Sequence, residues 1–234
     1  MTGPYDLVIV GAGSGNMLPG EEFSGWRIAV AEAERFGGTC LNRGCIPSKM
    51  LVYTADVARI AQQAGRFGLD VTWAGAESLG TRVTIVTRGT HLLSQHDTDI
   101  RDRFTQEYRQ RFDVRLGATP ERVSAAGGGV RLDLATPAGP QQVEAEVLLV
   151  ATGRIPNSDR LDVAATGVET DSHGHVRTDD TYATNVPGIW ALGDLANHYQ
   201  LKHMANAEER LVSYNLLHPG QPRHAAPARA VTRG

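Results

Sequence analysis

Only two cysteines, Cys40 and Cys45, occur in the 234 residues of the chain. A secreted fold stapled by disulfides needs more, and a bridge across so few residues would give little loop-closure stabilisation. Long apolar runs are lacking as well: the longest, around Val147 to Ala151, is far too short to span a bilayer. The amino terminus has no basic region followed by an apolar core. Nor is there a clustered excess of one charge. The 23 Lys and Arg are scattered among 26 Asp and Glu, for a formal net charge of -3, which offers neither a polyanion-binding surface nor a membrane-seeking basic helix. Nucleic acid and membrane are therefore not expected as partners, and the chain reads as cytoplasmic.

Two close cysteines in a glycine-rich stretch of a cytosolic protein read as catalytic, redox-sensing or metal-binding. Metal is the weakest of these, because no His or second Cys pair accompanies them at ligand spacing, and no metal site is assigned.

The length allows one large domain or two small ones with a core of useful size. Tyr5 to Val10 predicts a short buried strand. The turn Gly11-Ala12-Gly13-Ser14-Gly15-Asn16 follows at once, and Arg27 to Val30 predicts the second strand of a βαβ opening. Glu32 ends that second strand, where a dinucleotide site requires an acid. Gly11 would permit the tight turn, and Gly13 the approach of a pyrophosphate to helix amides. Glu32 would accept hydrogen bonds from ribose hydroxyls. Asn16 departs from the Gly or Ala that packs helix on strand in such motifs. Read alone, the turn could also be an ordinary strand-to-helix loop.

Met50 to Ala64 has apolar residues at helical spacing, which predicts a helix starting just after the cysteines and projecting them from its amino-terminal end. Thiols so placed, and close to Lys49, are expected to have depressed pKa values. Over residues 72–81 the pattern breaks, and a strand over Arg82 to Val86 begins with no glycine turn before it. Beyond it, Ile100 to Phe112 predicts a helix, and Val130 to Leu134 and Val143 to Val150 predict strands. Ile189 to Leu192 predicts a strand ending in Gly193-Asp194, and Lys202 to Leu217 a helix. The tail, residues 219–234, is rich in Pro, Ala and Arg and is expected to be disordered.

The run Gly37-Gly38-Thr39-Cys40-Leu41-Asn42-Arg43-Gly44-Cys45-Ile46-Pro47-Ser48-Lys49 resembles the GGTCxNxGCxPxK signature of the FAD-dependent pyridine nucleotide-disulfide reductases. Two further segments are similar to that family. Val150-Ala151-Thr152-Gly153-Arg154-Ile155-Pro156-Asn157 matches its ATGRxPN crossover, and Thr184 to Asp194 its second FAD motif. The resemblance covers nearly all of residues 1–217, with a break near residue 75. It implies an α/β, Rossmann-like FAD-binding fold of the glutathione reductase type, with a truncated second nucleotide-binding domain. The FAD domain would be discontinuous, over residues 1–75 and 156–217, and residues 79–155 would be the remnant of the NAD(P) domain.

By the same resemblance Cys40 would attack the substrate disulfide, Cys45 would face the flavin as the charge-transfer thiol, and Lys49 would lie near flavin N5. Gly11, Gly13, Gly15, Glu32, Gly38, Thr39, Lys49, Gly153 and Asp194 would serve FAD, with Asp194 on the ribityl chain. The helix from Lys202 would aim its amino terminus at the flavin pyrimidine. Arg88 would meet the 2'-phosphate of NADPH, a task suited to a guanidinium. A second arginine expected nearby is Ser94 here, so NADPH is favoured while NADH stays open.

Gly-Ser-Gly-Asn at residues 13–16, the run Lys49 to Tyr53 and the run Leu201 to Glu208 are similar to one branch of the family, whose small-molecule substrate is mycothione, the disulfide of mycothiol. Lipoamide- and glutathione-linked members usually have Thr-Pro in place of Lys202-His203, but they remain alternatives, as does a catalytically inactive FAD-binding fragment. Two family features have no counterpart: the second glycine turn before Arg82, and the carboxy-terminal interface domain, whose His-Glu pair serves the partner's site in a homodimer. The His218-Pro219 pair reads as a helix end. An impaired enzyme, lacking the family's means of dimerising, is the expectation.

Overall fold

The computed structural model describes residues 3–68 and 82–225. The break expected near residue 75 lies outside the described residues. Residues 3–68 and 154–225 form one compact unit, and residues 82–153 another.

In the first unit the β-branched run of β1 (Leu7–Val10) pairs in parallel with β2 (Ile28–Ala31), Leu7 opposite Ile28 and Val10 opposite Ala31. The crossover differs from a simple βαβ. Instead of an α-helix it holds two single turns of 3-10 helix, Ser14–Met17 and Glu21–Phe23. With Pro19 and Gly20 between them, a continuous helix is not available to so short a segment. Ile9, Leu18, Phe23 and Val212 form the core here, and Phe23 meets Trp26 edge to face at 5.1 Å.

Helix α1 (Gly38–Arg43) and helix α2 (Cys45–Gln62) follow, joined through Gly44. The helix predicted from Met50 thus begins five residues earlier and takes in Cys45, because Pro47 is tolerated in a first helical turn, where its missing N–H is no loss. Much of the apolar sequence of α2 is uncovered: Met50, Leu51, Val52, Tyr53 and Ile60 are exposed, Leu51 at 75%. The predicted strand over Ile189 to Leu192 is reduced to a bridge between Ala183 and Trp190. It contributes Ala191 to a small core with Val168 and Val176.

Helix α4 (Lys202–Leu217) matches its predicted span, and its Val212 docks on the β1–β2 core. The tail corrects an expectation: residues 219–225 are held in place. Asn215 brackets Arg223 with two hydrogen bonds, at 2.7 and 2.9 Å, the Arg223 guanidinium lies 3.7 Å over the Tyr214 ring, and the Ala225 amide donates to the Asp180 carbonyl. Residues 226–234 lie outside the described residues.

In the second unit β3 (Thr84–Val86) pairs in parallel with β4 (Asp113–Arg115) across helix α3 (Thr98–Arg111), which Asp97 caps by accepting the Asp99 amide at 3.0 Å. A three-stranded antiparallel meander follows: β5 (Thr119–Ala126), β6 (Gly129–Thr136) and β7 (Gly139–Ala145). Gly127 and Gly128, both at positive φ, make its first hairpin turn. Leu132, Leu134 and Ala118 form its core. The strand expected to reach Val150 stops at Ala145. Val147, Leu149 and Val150 are exposed in a segment that pairs with no strand among the described residues.

Candidate functional site

The glycine turn and the cysteine motif meet in the first unit. The Gly11 amide donates to the Ala31 carbonyl at 2.8 Å, so the turn starts where β1 and β2 end together. The Glu32 carboxylate then reaches back into the turn. One oxygen accepts the Ala12 amide at 2.8 Å, and the other the Glu34 amide at 2.9 Å. These amides, Ala12 first, hold its carboxyl below the usual carboxylate range. Glu32 is therefore ionised at neutral pH and fixed in direction.

The Gly37 amide donates to the Ala12 carbonyl at 3.1 Å, and Gly38 follows at φ +59, pressed on the turn. A Cβ on Gly38 would lie 2.6 Å from Gly13 Cα. At Gly11 and Gly13, by contrast, an added Cβ would meet nothing within 4 Å, and Gly15 only touches Ile9. Ser14–Met17 begins with no side-chain cap on its amides. The space over Gly11 and Gly13 is open and the Ser14–Met17 turn lacks a side-chain cap, so these residues, with Glu32, could hold a dinucleotide pyrophosphate and its ribose.

Cys40 lies in α1 and Cys45 opens α2. Gly44 makes the junction, with so little room that a Cβ there would stand 2.9 Å from the Thr39 carbonyl oxygen. Both thiols are free, Cys40 half-buried and Cys45 exposed. The expected fall in thiol pKa is not found at Cys40. A hydrogen bond with the Cys45 side chain, then burial, pushes the Cys40 thiol up. The ammonium opposing that rise is not Lys49, which is exposed on α2, but Lys202 at the start of α4. Lys202 Nζ donates to Ser14 Oγ at 3.2 Å, and Ser14 Oγ donates to Asn206 Oδ1 at 3.0 Å, tying the glycine turn to α4.

Asp194 lies in a single turn, Gly193–Leu195, and its carboxylate pairs with Arg154 at 3.3 Å. Glu208, on the buried face of α4, accepts the Gly193 amide and the Asn197 side-chain amide, each at 2.6 Å. Motif reading passed over Glu208 as a functional residue. Its burial on the face that also carries Ala205 and Val212 was the available signal. Gly153, exposed at φ +111, and Arg88, exposed just after β3, belong to the second unit.

Parallel strands joined through a glycine turn, with an acid after the second strand, define a Rossmann-like fold, and two free thiols lie close to the turn. Comparison with known proteins agrees. The family model for pyridine nucleotide-disulphide oxidoreductases matches residues 64–209, and the chain belongs to that family. It is similar to mycothione reductase of Mycobacterium tuberculosis, 29% identical over 329 aligned positions that cover 91% of this chain and 71% of the relative. That alignment is longer than the chain itself, so the relative carries sequence that this chain lacks. The chain is also similar to mitochondrial dihydrolipoyl dehydrogenase 1 of Arabidopsis thaliana, at 30% identity over 86% of this chain and 37% of the relative. The fold is that of the HOCl-induced flavoprotein disulfide reductase RclA from Escherichia coli, with a TM-score of 0.74 at 21% identity, over 94% of this chain and 72% of that one. Among the described residues no helix is long and apolar enough to cross a membrane.

Proposed function

We propose that the first unit binds FAD and that the Cys40–Cys45 pair exchanges with a small-molecule disulfide, mycothione being the favoured substrate and NADPH the favoured reductant. The observation carrying this reading is the pair of free thiols on either side of Gly44, Cys40 in α1 and Cys45 at the start of α2, beside the glycine turn that Gly38 touches. In this reading Gly11, Gly13 and Gly15 receive the pyrophosphate, Glu32 the ribose, Gly38 and Thr39 a phosphate, and Asp194 the ribityl hydroxyls. When bound, FAD supplies the two-electron relay between a nicotinamide and the cysteine pair.

Cys40 Sγ attacks one sulfur of mycothione, whose S–S bond breaks as one mycothiol leaves. Cys45 Sγ then attacks Cys40 Sγ, releasing the second mycothiol and leaving the Cys40–Cys45 disulfide. Restoring the dithiol takes two electrons and two protons, one NADPH and one proton in sum. The raised Cys40 thiol needs help to ionise, and the Lys202 ammonium is the group that favours its thiolate. Mycothione is preferred over lipoamide or glutathione disulfide on the similarity of residues 13–16, 49–53 and 201–208 to the mycothione branch. Rates with the three disulfides in the presence of NADPH or NADH test the choice. A preference for either rival disulfide would overturn it.

A second reading is favoured by the length of the alignment with the mycothione reductase: a flavin-binding module that exchanges thiols without nicotinamide-driven turnover. Flavin retention together with dithiol exchange, in the absence of NADPH or NADH oxidation, would select it.

A further inference from the structure

Away from the thiols, the turn Asp171–His175 holds a second cluster of ligand-type side chains. Asp171 Oδ1 accepts the backbone amides of His173 and His175 at 2.8 and 2.9 Å. The Asp171 amide donates to the His175 carbonyl at 2.8 Å, closing the turn. The carboxylate is thereby fixed with Oδ2 toward two imidazoles, 3.5 Å from His175 Nδ1 and 3.8 Å from His198 Nε2. One donor atom from each of the three residues falls within 4.8 Å of the other two.

His175 is the independent sign of a ligand. The residue is 8% exposed, its side chain 10%, and neither ring nitrogen has a hydrogen-bond partner. A buried imidazole in that condition has lost its water without recompense. A cation seated among the three donors would supply the missing partner at Nδ1. Four-coordinate bonds of about 2.0–2.1 Å place ligand atoms roughly 3.4 Å apart. The two measured separations are close to that value, and the exposed His198 leaves one side open to water.

We propose that Asp171, His175 and His198 form a site for a borderline divalent transition cation of the Zn(II) class, with water in the remaining position. Two imidazoles favour such a cation over Ca(II) or Mg(II), which take oxygen donors.

The test uses the full chain carrying Cys40→Ser and Cys45→Ser, so that the thiols do not compete. Co(II) is titrated by its visible absorption and displaced with Zn(II), and the Zn(II) affinity is measured by calorimetry. The expected result is one Co(II) per chain, without a thiolate charge-transfer band, displaced by one Zn(II). Asp171→Asn, and His198→Ala at a surface position, should each weaken Zn(II) binding at least about tenfold. Zn(II) should also raise the melting temperature of the parent more than that of His198→Ala. Absence of saturable one-to-one binding, or equal affinity in parent and both variants, overturns the site. None of these readouts depends on flavin.

Discussion

Glu208 holds Gly193 in place: a carboxylate 2% exposed accepts the amide of the residue just before Asp194, at 2.6 Å. Gly193 takes φ +70 with its Cα side against Ala205, so the loop carrying Asp194 is fixed both by conformation and by α4. Glu208→Ala leaves the Gly193 amide and the Asn197 side chain without their acceptor, a loss of about 1–3 kcal/mol. Chemical denaturation should show it, with a smaller loss for Glu208→Gln, which keeps an acceptor. Burial, then the charge of Asp194, raises the Glu208 pKa above its ordinary 4.5. The folded chain therefore binds this proton more tightly than the unfolded chain does. That contribution to stability is complete below the ordinary value and is lost as pH rises through the folded one. Glu208→Gln should flatten the fall in stability over that window, and parallel curves for variant and parent would exclude the assignment.

Cys40 has its thiol raised chiefly by the hydrogen bond with Cys45, and Lys202 acts the other way. Cys45→Ala should therefore lower the Cys40 pKa and speed its alkylation at a fixed pH near neutrality, whereas Lys202→Met should slow alkylation in the same assay. The rate–pH profile for iodoacetamide distinguishes the two effects. In the parent, an oxidised dithiol should convert both thiols to a disulfide that mild reduction reverses. Two thiols still titratable after that exposure would count against their redox role.

Gly38 and Gly13 make different demands on the same cradle. Alanine at 38 would be held at φ +59 with its Cβ against Gly13 backbone, so a stability loss of at least about 1–2 kcal/mol is expected. Alanine at 13 meets open space, and its effect on stability should stay within about 1 kcal/mol. If that space receives a pyrophosphate, Gly13→Ala should nonetheless release flavin. Absorbance of the purified protein and its melting curve, taken together, decide the matter: flavin retained by a well-folded Gly13→Ala chain would remove the cradle from the site.

Elements that carry their own signal were legible in the sequence. The β-branched strands on either side of the Gly11 turn, the charged helix α3 and the helix from Lys202 to Leu217 come out close to their expected spans. Segments whose fate depends on a partner were not. Val147 to Val150 is apolar enough for a strand, but pairs with none among the described residues. Pro120 hides β5, which nonetheless forms with a register shift between Pro120 and Arg122. The apolar periodicity marks α2 only from Met50, although the glycines of the cysteine motif and Pro47 suit two consecutive helix starts. At the site, motif spacing singled out the cysteines and glycines, while the tie from Lys202 to Ser14 and the grip of Glu208 on Gly193 join residues 188 and 15 positions apart. The Asp171, His175 and His198 group escaped notice for the same reason, since His198 arrives from a different loop.

The last prediction concerns nicotinamide-driven turnover. Family members place a glycine turn before the strand that corresponds to β3, and the sequence leading into Arg82 has none. On the proposed function, the coenzyme pyrophosphate would then have no glycine-turn amides to receive it, and Arg88, exposed after β3, would offer a single contact to a phosphate. A 2'-phosphate contact alone does not orient a nicotinamide, and loss of near-attack geometry by about 1 Å already costs on the order of 100-fold. NADPH oxidation with mycothione should therefore run at least about 100-fold slower in this chain than in a version carrying the sequence that the mycothione reductase alignment contains and this chain lacks. Thiol–disulfide exchange at Cys40 and Cys45 should persist in both, because the α1–α2 junction and Lys202, on which it rests, are common to the two. Equal rates of NADPH oxidation in the two chains would show that the missing turn is dispensable.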